Sequence, residues 1–209
     1  QPTKYCYITP CFRYEKPQAG RLRQFHQFGV EEIGLDNAMT DAEIVIMAVH
    51  SLSVLGFKNI KLKINSIGDA ESRNNYKKAL VEYFSSKIDS MCPDCKERLQ
   101  LNPLRILDCK VPEDQEIAKG APSKKDYLSE LLPREIFSED SYHTLSIIND
   151  FGIEYEIDDG LVRGLDYYSE MVFEIHILSD EGKDYGAVCG GGHYGGLVKL
   201  LGGPDLPGV

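Results

Sequence analysis

Two alternating segments around a polar Pro-Gly stretch restrict what the first part of this chain can become. "KYCYITPCFRYE" places Tyr5, Tyr7 and Phe12 among small residues bounded by Pro, and "QFHQFGVEEIG" resumes a strand-like pattern after "KPQAGRLR". This pattern predicts a hairpin with a long basic loop over residues 16–23. Alternate side chains on a strand share a face. Arg13 and Glu15 therefore point the same way, as do Gln27, Gly29 and Glu31 on the second strand. One face of the hairpin is polar. It is either a solvated surface with cross-strand ion pairs or a site for a charged ligand. The mixture of groups favours the ligand: Arg offers planar forks for phosphate or carboxylate, whereas Gln27 and Glu31 offer acceptors for an ammonium or imidazole N–H.

Downstream, "TDAEIVIMAVHSLSVLG" opens with Thr40 and Glu43 at capping-box spacing, carries Ala42, Val45, Val49 and Leu52 on one face, and stops at Gly56. That predicts a helix. "NIKLKINSIG" alternates Ile60, Leu62 and Ile64 with polar residues and reads as a half-buried strand. Over 69–90, Tyr76, Leu80, Phe84 and Ile88 recur at i, i+4 intervals and predict an amphipathic helix. Between Ser66 and about Tyr127 the strand alternation lapses and a Cys-x-x-Cys appears among many Lys and Glu, which predicts an inserted subdomain. A helix over 138–150 and strands over 153–157 and 170–178 restore the earlier pattern as far as "VCGGGHYGGLV".

The 209 residues, 42% of them apolar, suffice for a sizeable core. No apolar run reaches the roughly 18 residues needed to span a bilayer. The start at Gln1 and the break at "GGPDLPGV" in mid-pattern lead us to expect a piece of a longer polypeptide. A net charge of -10 argues against a general nucleic-acid-binding surface and leaves room for a local basic patch. The six Cys lie among charged segments and read as reduced thiols of a cytoplasmic protein rather than a disulfide framework. Cys92, Cys95 and Cys109 lack a fourth Cys or His nearby, so no metal is expected. The glycines at 190–192 lack the ending of a phosphate loop and fit close approach of backbone to a small ligand.

"FRYEKPQAGRLRQFHQFGVE" resembles motif 2 of the class II aminoacyl-tRNA synthetases, and "GRLRQFHQ" is similar to its histidyl-tRNA synthetase form. "GLVRGLDYYSEMVFEI" resembles the histidine-binding motif of that family, "CGGGHYGGLVKLLGG" the turn leading toward motif 3, and "LNPLRILDCK" part of the bacterial insertion domain. The resemblance implies an α+β fold, a class II antiparallel sheet flanked by helices, with a mainly helical insertion. It implies a catalytic core over 1–65 and 129–209 and an insertion over 66–128. It also implies ATP-dependent activation of L-histidine and its transfer to the 3′ end of tRNA(His), with Mg2+ accompanying ATP as substrate, no permanent cofactor, a homodimer in the full-length protein and no membrane association.

Residue by residue, the likeness puts Arg13 on the ATP α-phosphate, Glu15 against adenine, and Arg21 and Arg23 on the outer phosphates and the tRNA acceptor end. Phe25 would stack on adenine, Gln27 would contact the amino acid backbone, and Glu31 would accept the imidazole N–H. Arg163 would bridge the histidine carboxylate and the α-phosphate as the catalytic residue beside Arg13, while Tyr168 and Tyr194 would line the imidazole pocket. His193 and Gly195 depart from the family pattern, which has an Arg and an acidic or amide residue flanking the Tyr. Motif 1, the motif 3 Arg and an anticodon-binding domain fall outside these residues, so the chain is expected to be inactive alone. Two non-catalytic readings stay open: a regulatory subunit of ATP phosphoribosyltransferase, which generally lacks the insertion, and a module that senses uncharged tRNA.

Overall fold

The structure, a computed structural model, describes residues 1–14, 22–68, 70–123, 139–158, 160–161, 163, 165 and 167–209. Strands β1 (Thr3–Phe12) and β2 (Gln24–Ile33) pair antiparallel without interruption, from Thr3 opposite Ile33 to Phe12 opposite Gln24. An unbroken register keeps the odd-numbered residues of both strands on one face. Helix α1 (Ala38–Val54) follows. Its cap differs from the sequence reading: Asn37 accepts from the Thr40 N–H at 3.0 Å and from the Thr40 hydroxyl at 3.2 Å, so the helix starts two residues before Thr40. Glu43 instead pairs with Lys4 of β1.

β3 (Ile60–Ser66), β4 (Tyr155–Ile157), β5 (Met171–Leu178) and β6 (Asp184–Gly192) form a sheet in the order β4-β3-β5-β6. All its pairs are antiparallel except β3 with β4. A parallel neighbour requires a crossover. Residues 67–154 supply it, and α5 (Glu139–Asp150) is its last helix. The last residues join the two sheets. Glu32 and Val209 exchange backbone hydrogen bonds of 2.9 and 3.0 Å, and Tyr194 and Gly208 exchange bonds of 2.7 and 2.8 Å on the other side. The hairpin thereby becomes continuous with the end of β6.

The main core lies where α1 and α5 cover this sheet. Ala42, Val45, Leu145 and Ile148 pack with Leu62, Ile64, Phe173 and Ile175, and each large side chain removed from water contributes about 1.5–3 kcal/mol. A second cluster is separate. Tyr76, Leu80 and Phe84 of α2 (Ala70–Ser85) pack with Met91, with Cys95 of α3 (Pro93–Leu101), with Leu104 and Ile106 of the 3₁₀ turn Pro103–Ile106, and with Cys109. Helix α4 (Pro112–Lys119) closes that cluster through Ile117 and Ala118. Ile88 lies in a 3₁₀ turn beyond α2, because the helix ends at Ser85. The short α6 (Leu197–Leu200) follows β6. No helix among the described residues is long and apolar enough to cross a membrane.

Candidate functional site

The odd-numbered face of the hairpin carries the residues expected at the site, and they divide between its two ends. Near the loop, the Arg13 N–H donates to the Arg23 carbonyl at 2.8 Å, which extends the ladder beyond β1 and β2. The Arg13 guanidinium covers the Phe25 ring at 4.0 Å from its centre. Such a contact at a partly exposed site is worth only about 0.5–1 kcal/mol, so a planar ligand can take the ring face and leave Arg13 free to meet an anion. Arg23 is exposed. Glu15 and Arg21 lie outside the described residues.

Farther along, Gln27 is exposed and accepts from the Cys11 thiol at 3.1 Å. Gly29 stands opposite Tyr7. A Cβ at Gly29 would come within 2.2 Å of the Tyr7 ring, so only Gly allows that ring to lie across the strand. From this position the Tyr7 hydroxyl donates to Glu31 Oε1 at 3.3 Å, while the Tyr194 hydroxyl donates to Oε2 at 2.6 Å. Two donors fix the carboxylate. Each oxygen keeps a further lone pair for an N–H donor. Burial and the Glu31 charge both raise the Tyr194 and Tyr7 hydroxyls above the ordinary tyrosine value, so both hold their protons.

Tyr194 leads to an aromatic wall. Its ring meets Tyr167 edge-on at 5.8 Å between centres, and Tyr167 tilts against Tyr168 at 4.5 Å. Burial, followed by the Tyr168 hydroxyl at 3.4 Å, raises Tyr167 as well. Arg163 lies 6.0 Å from the Tyr168 ring. Its Nη1 bonds Glu174 Oε1 at 2.5 Å, and its guanidinium rests on Gly190, where an added Cβ would come within 2.7 Å of Nη1. The Arg163 Nε is buried and has no partner among the described residues. A buried donor left unpaired costs about 1–3 kcal/mol, and an anionic oxygen at that point would remove the cost.

The structure therefore brings Glu31, Tyr194 and Tyr168 together through Tyr167, and pairs Arg13 with Phe25. Arg163 is held on β5 and β6 by Glu174 and Gly190 rather than joined to Arg13. Sequence reading missed Tyr7, Tyr167 and Glu174. Tyr7 was accessible through the register, since an aromatic opposite a Gly has room to lie flat. Glu174 had no comparable signal, because one more Glu on an alternating strand is ordinary.

His193, one of the two departures at the turn, is buried. Its Nδ1 lies 3.1 Å from Asp41 Oδ1 and its Nε2 3.6 Å from Asp36 Oδ1. Burial works to lower its pKa, but the Asp41 hydrogen bond and charge, with Asp36 and Glu170 behind them, raise it above the usual histidine value. At Gly195 the backbone N–H donates to Ser169 Oγ at 3.1 Å.

Comparison with known proteins bears on the whole chain. A family model described as Histidyl-tRNA synthetase matches residues 1–87. The histidine–tRNA ligases of Bacillus subtilis (strain 168) and Ligilactobacillus salivarius (strain UCC118) are each 48% identical to it over 100% of its length, and the match covers 48% of each relative. The crystal structure of apo S. aureus histidyl-tRNA synthetase superposes with a TM-score of 0.73 at 39% identity, covering 100% of this chain and 47% of that one. A Bacillus halodurans C structure described as an ATP phosphoribosyltransferase regulatory subunit/histidyl-tRNA synthetase gives a TM-score of 0.59 at 20% identity, with 100% and 56% covered, a likeness of fold alone. The chain spans about half the length of the curated relatives it matches.

Proposed function

This chain belongs to the histidyl-tRNA synthetase family, and from that premise we propose that it forms the central part of a catalytic domain that activates L-histidine with ATP and esterifies the 3′ end of tRNA(His). The observation that carries the reading is the Glu31 carboxylate. It is fixed by Tyr7 and Tyr194 on the same hairpin face that presents Arg13 and Phe25 nearer the loop. One face thus offers an acceptor for an imidazole N–H and, farther along, a cation beside an aromatic ring for a nucleotide.

The chemistry needs both ends. A histidine carboxylate oxygen attacks the α-phosphorus, a new P–O bond forms, and pyrophosphate leaves with the electrons of the bond to the β-phosphate. Two anions must meet, so fixed cations lower the barrier by offsetting their repulsion and by stabilising charge on the equatorial oxygens. Arg13 serves the α-phosphate. Arg163, pinned by Glu174, bridges the carboxylate and that phosphate, and its unpaired Nε suits an anionic partner. Arg21 and Arg23 would hold the outer phosphates, whose charge Mg2+ arriving with ATP as substrate would help to offset; Glu15 faces the adenine that Phe25 stacks on. Gln27 holds the amino acid backbone, and Tyr168 and Tyr194 enclose the ring.

In this reading residues 66–128 form an insertion that serves tRNA, and the separate apolar cluster of α2 to α4 supports that division. Lys78 and Lys96 are exposed there, and Lys77 and Arg98 are half-buried. The full-length protein acts in the cytoplasm as a homodimer. Glu31→Gln tests the central assignment. Losing a hydrogen bond to a charged group costs about 1.5–3 kcal/mol, so the histidine KM should rise at least about tenfold while the ATP KM holds. An unchanged histidine KM in pyrophosphate exchange would remove Glu31 from the pocket.

A further inference from the structure

Four ligand-type side chains converge within the second apolar cluster, away from the hairpin. Cys92 caps the start of α3 and Cys95 lies in its first turn; Cys109 follows the 3₁₀ turn Pro103–Ile106, and Asp114 sits in the first turn of α4. The three sulfur atoms and an Asp114 carboxylate oxygen all lie within 4.8 Å of one another. Cys95, Cys109 and Asp114 are buried and Cys92 is half-buried. The fourth donor is an oxygen, so the spacing of Cys and His alone does not reveal the set.

The spacing fits one ion. Tetrahedral zinc, with bonds of about 2.3 Å to sulfur and about 2.1 Å to oxygen, sets ligand atoms about 3.8 Å apart for sulfur pairs and about 3.6 Å for sulfur with oxygen. Here Cys92 Sγ and Cys109 Sγ are 3.9 Å apart, and Cys109 Sγ lies 3.3 Å from Asp114 Oδ2. The Cys92 N–H also points to the Asp114 carboxylate, at 3.3 and 3.2 Å from its two oxygens. A backbone donor of this kind orients a ligating carboxylate. Without an ion, a buried carboxylate would rest on that N–H and on thiols, which are weak donors; burying a charge so thinly satisfied is costly.

We propose that Cys92, Cys95, Cys109 and Asp114 bind a zinc ion that fastens α3, the 3₁₀ turn and α4 into one unit. Three thiolates select a borderline-soft ion over magnesium or calcium. Four protein ligands leave no open position, so the role is structural rather than catalytic. The apolar cluster around it is small, the circumstance in which a metal contributes most to holding a fold.

The test is elemental analysis of the purified protein, kept reduced, with cobalt substitution as an optical probe. Expected are about one zinc per chain, a thiolate-to-cobalt charge-transfer band after exchange, and loss of both in Cys95→Ser and Cys109→Ser. Asp114→Asn should keep the three-sulfur band but release the ion more readily to a chelator. Because the Cys variants could fail to fold, wild-type protein stripped with chelator and reloaded provides the second measurement: melting of the α2 to α4 region, followed by hydrogen exchange, should move to higher temperature with zinc. Less than about a tenth of a zinc per chain, with no cobalt band and no protection on adding zinc, overturns the proposal. So does a Cys92–Cys109 disulfide in protein isolated under reducing conditions.

Discussion

Replacing Gly190 with Ala tests whether the Arg163 guanidinium is held in place by the backbone beneath it. The new Cβ would lie 2.7 Å from Nη1, 2.9 Å from Cζ and 3.1 Å from Nη2. Reaching an ordinary contact of 3.4 Å moves the nearest nitrogen by about 0.7 Å, which breaks its short bond to Glu174 or tilts the plane. The backbone itself tolerates Ala, since Gly190 is not among the glycines with positive φ. With Arg163 in the catalytic role proposed above, misplacing it by this much costs about a hundredfold in rate, or about 2.7 kcal/mol. Histidine-dependent pyrophosphate exchange by the full-length protein should therefore lose about a hundredfold in kcat with a melting temperature close to that of wild type. Arg163→Ala should lose about a hundred- to a thousandfold. If Gly190→Ala keeps wild-type kcat while Arg163→Ala is inactive, the guanidinium can reposition freely and the argument from close packing fails.

Other consequences follow from the same contacts. Tyr194→Phe deletes the 2.6 Å bond to Glu31 without emptying the pocket, so the histidine KM should rise about tenfold or more while the ATP KM stays constant. His193 has a folded pKa raised above 6.5, so the stability it gains from Asp41, Asp36 and Glu170 is full below 6.5 and is lost as pH rises through the folded value. The melting temperature should accordingly fall across that window relative to His193→Gln, and parallel pH profiles for the two proteins would refute the pairing. Deleting residues 68–127 across a short Gly-Ser bridge should spare adenylate formation while aminoacylation falls and the tRNA KM rises; equal loss of both reactions in a folded variant would place the insertion in support of the core.

The hairpin was legible because its two signals agree: alternation with a Pro-Gly break gives the strands, and an odd-numbered polar set gives the face. Leu62, Ile64, Val45 and Ala42 were legible as core for the same reason, since period and burial coincide in them. What the sequence hid depends on partners far along the chain. Asn37 caps α1 ahead of a plausible Thr40 signal, because a cap is decided by backbone geometry that spacing alone does not contain. The parallel pairing of β3 with β4 needs a crossover of nearly ninety residues, so no local pattern announces it. Likewise, the Tyr194–Glu31 bond joins residues 163 positions apart, and it forms only because the last residues seat between the hairpin and β6. The roles proposed for Arg13, Gln27 and Arg163 came from resemblance; periodicity gave only the faces of Arg13 and Gln27, and nothing for Arg163, which lies between strands.

The most direct measurement of the central claim is amino-acid-dependent pyrophosphate exchange by the purified full-length protein, run with each of the standard amino acids and repeated with Glu31→Gln. The account predicts ATP-dependent exchange with L-histidine alone, weakened in the variant through the histidine KM and not the ATP KM. Exchange with a different amino acid, or none with histidine in a folded protein, would contradict it.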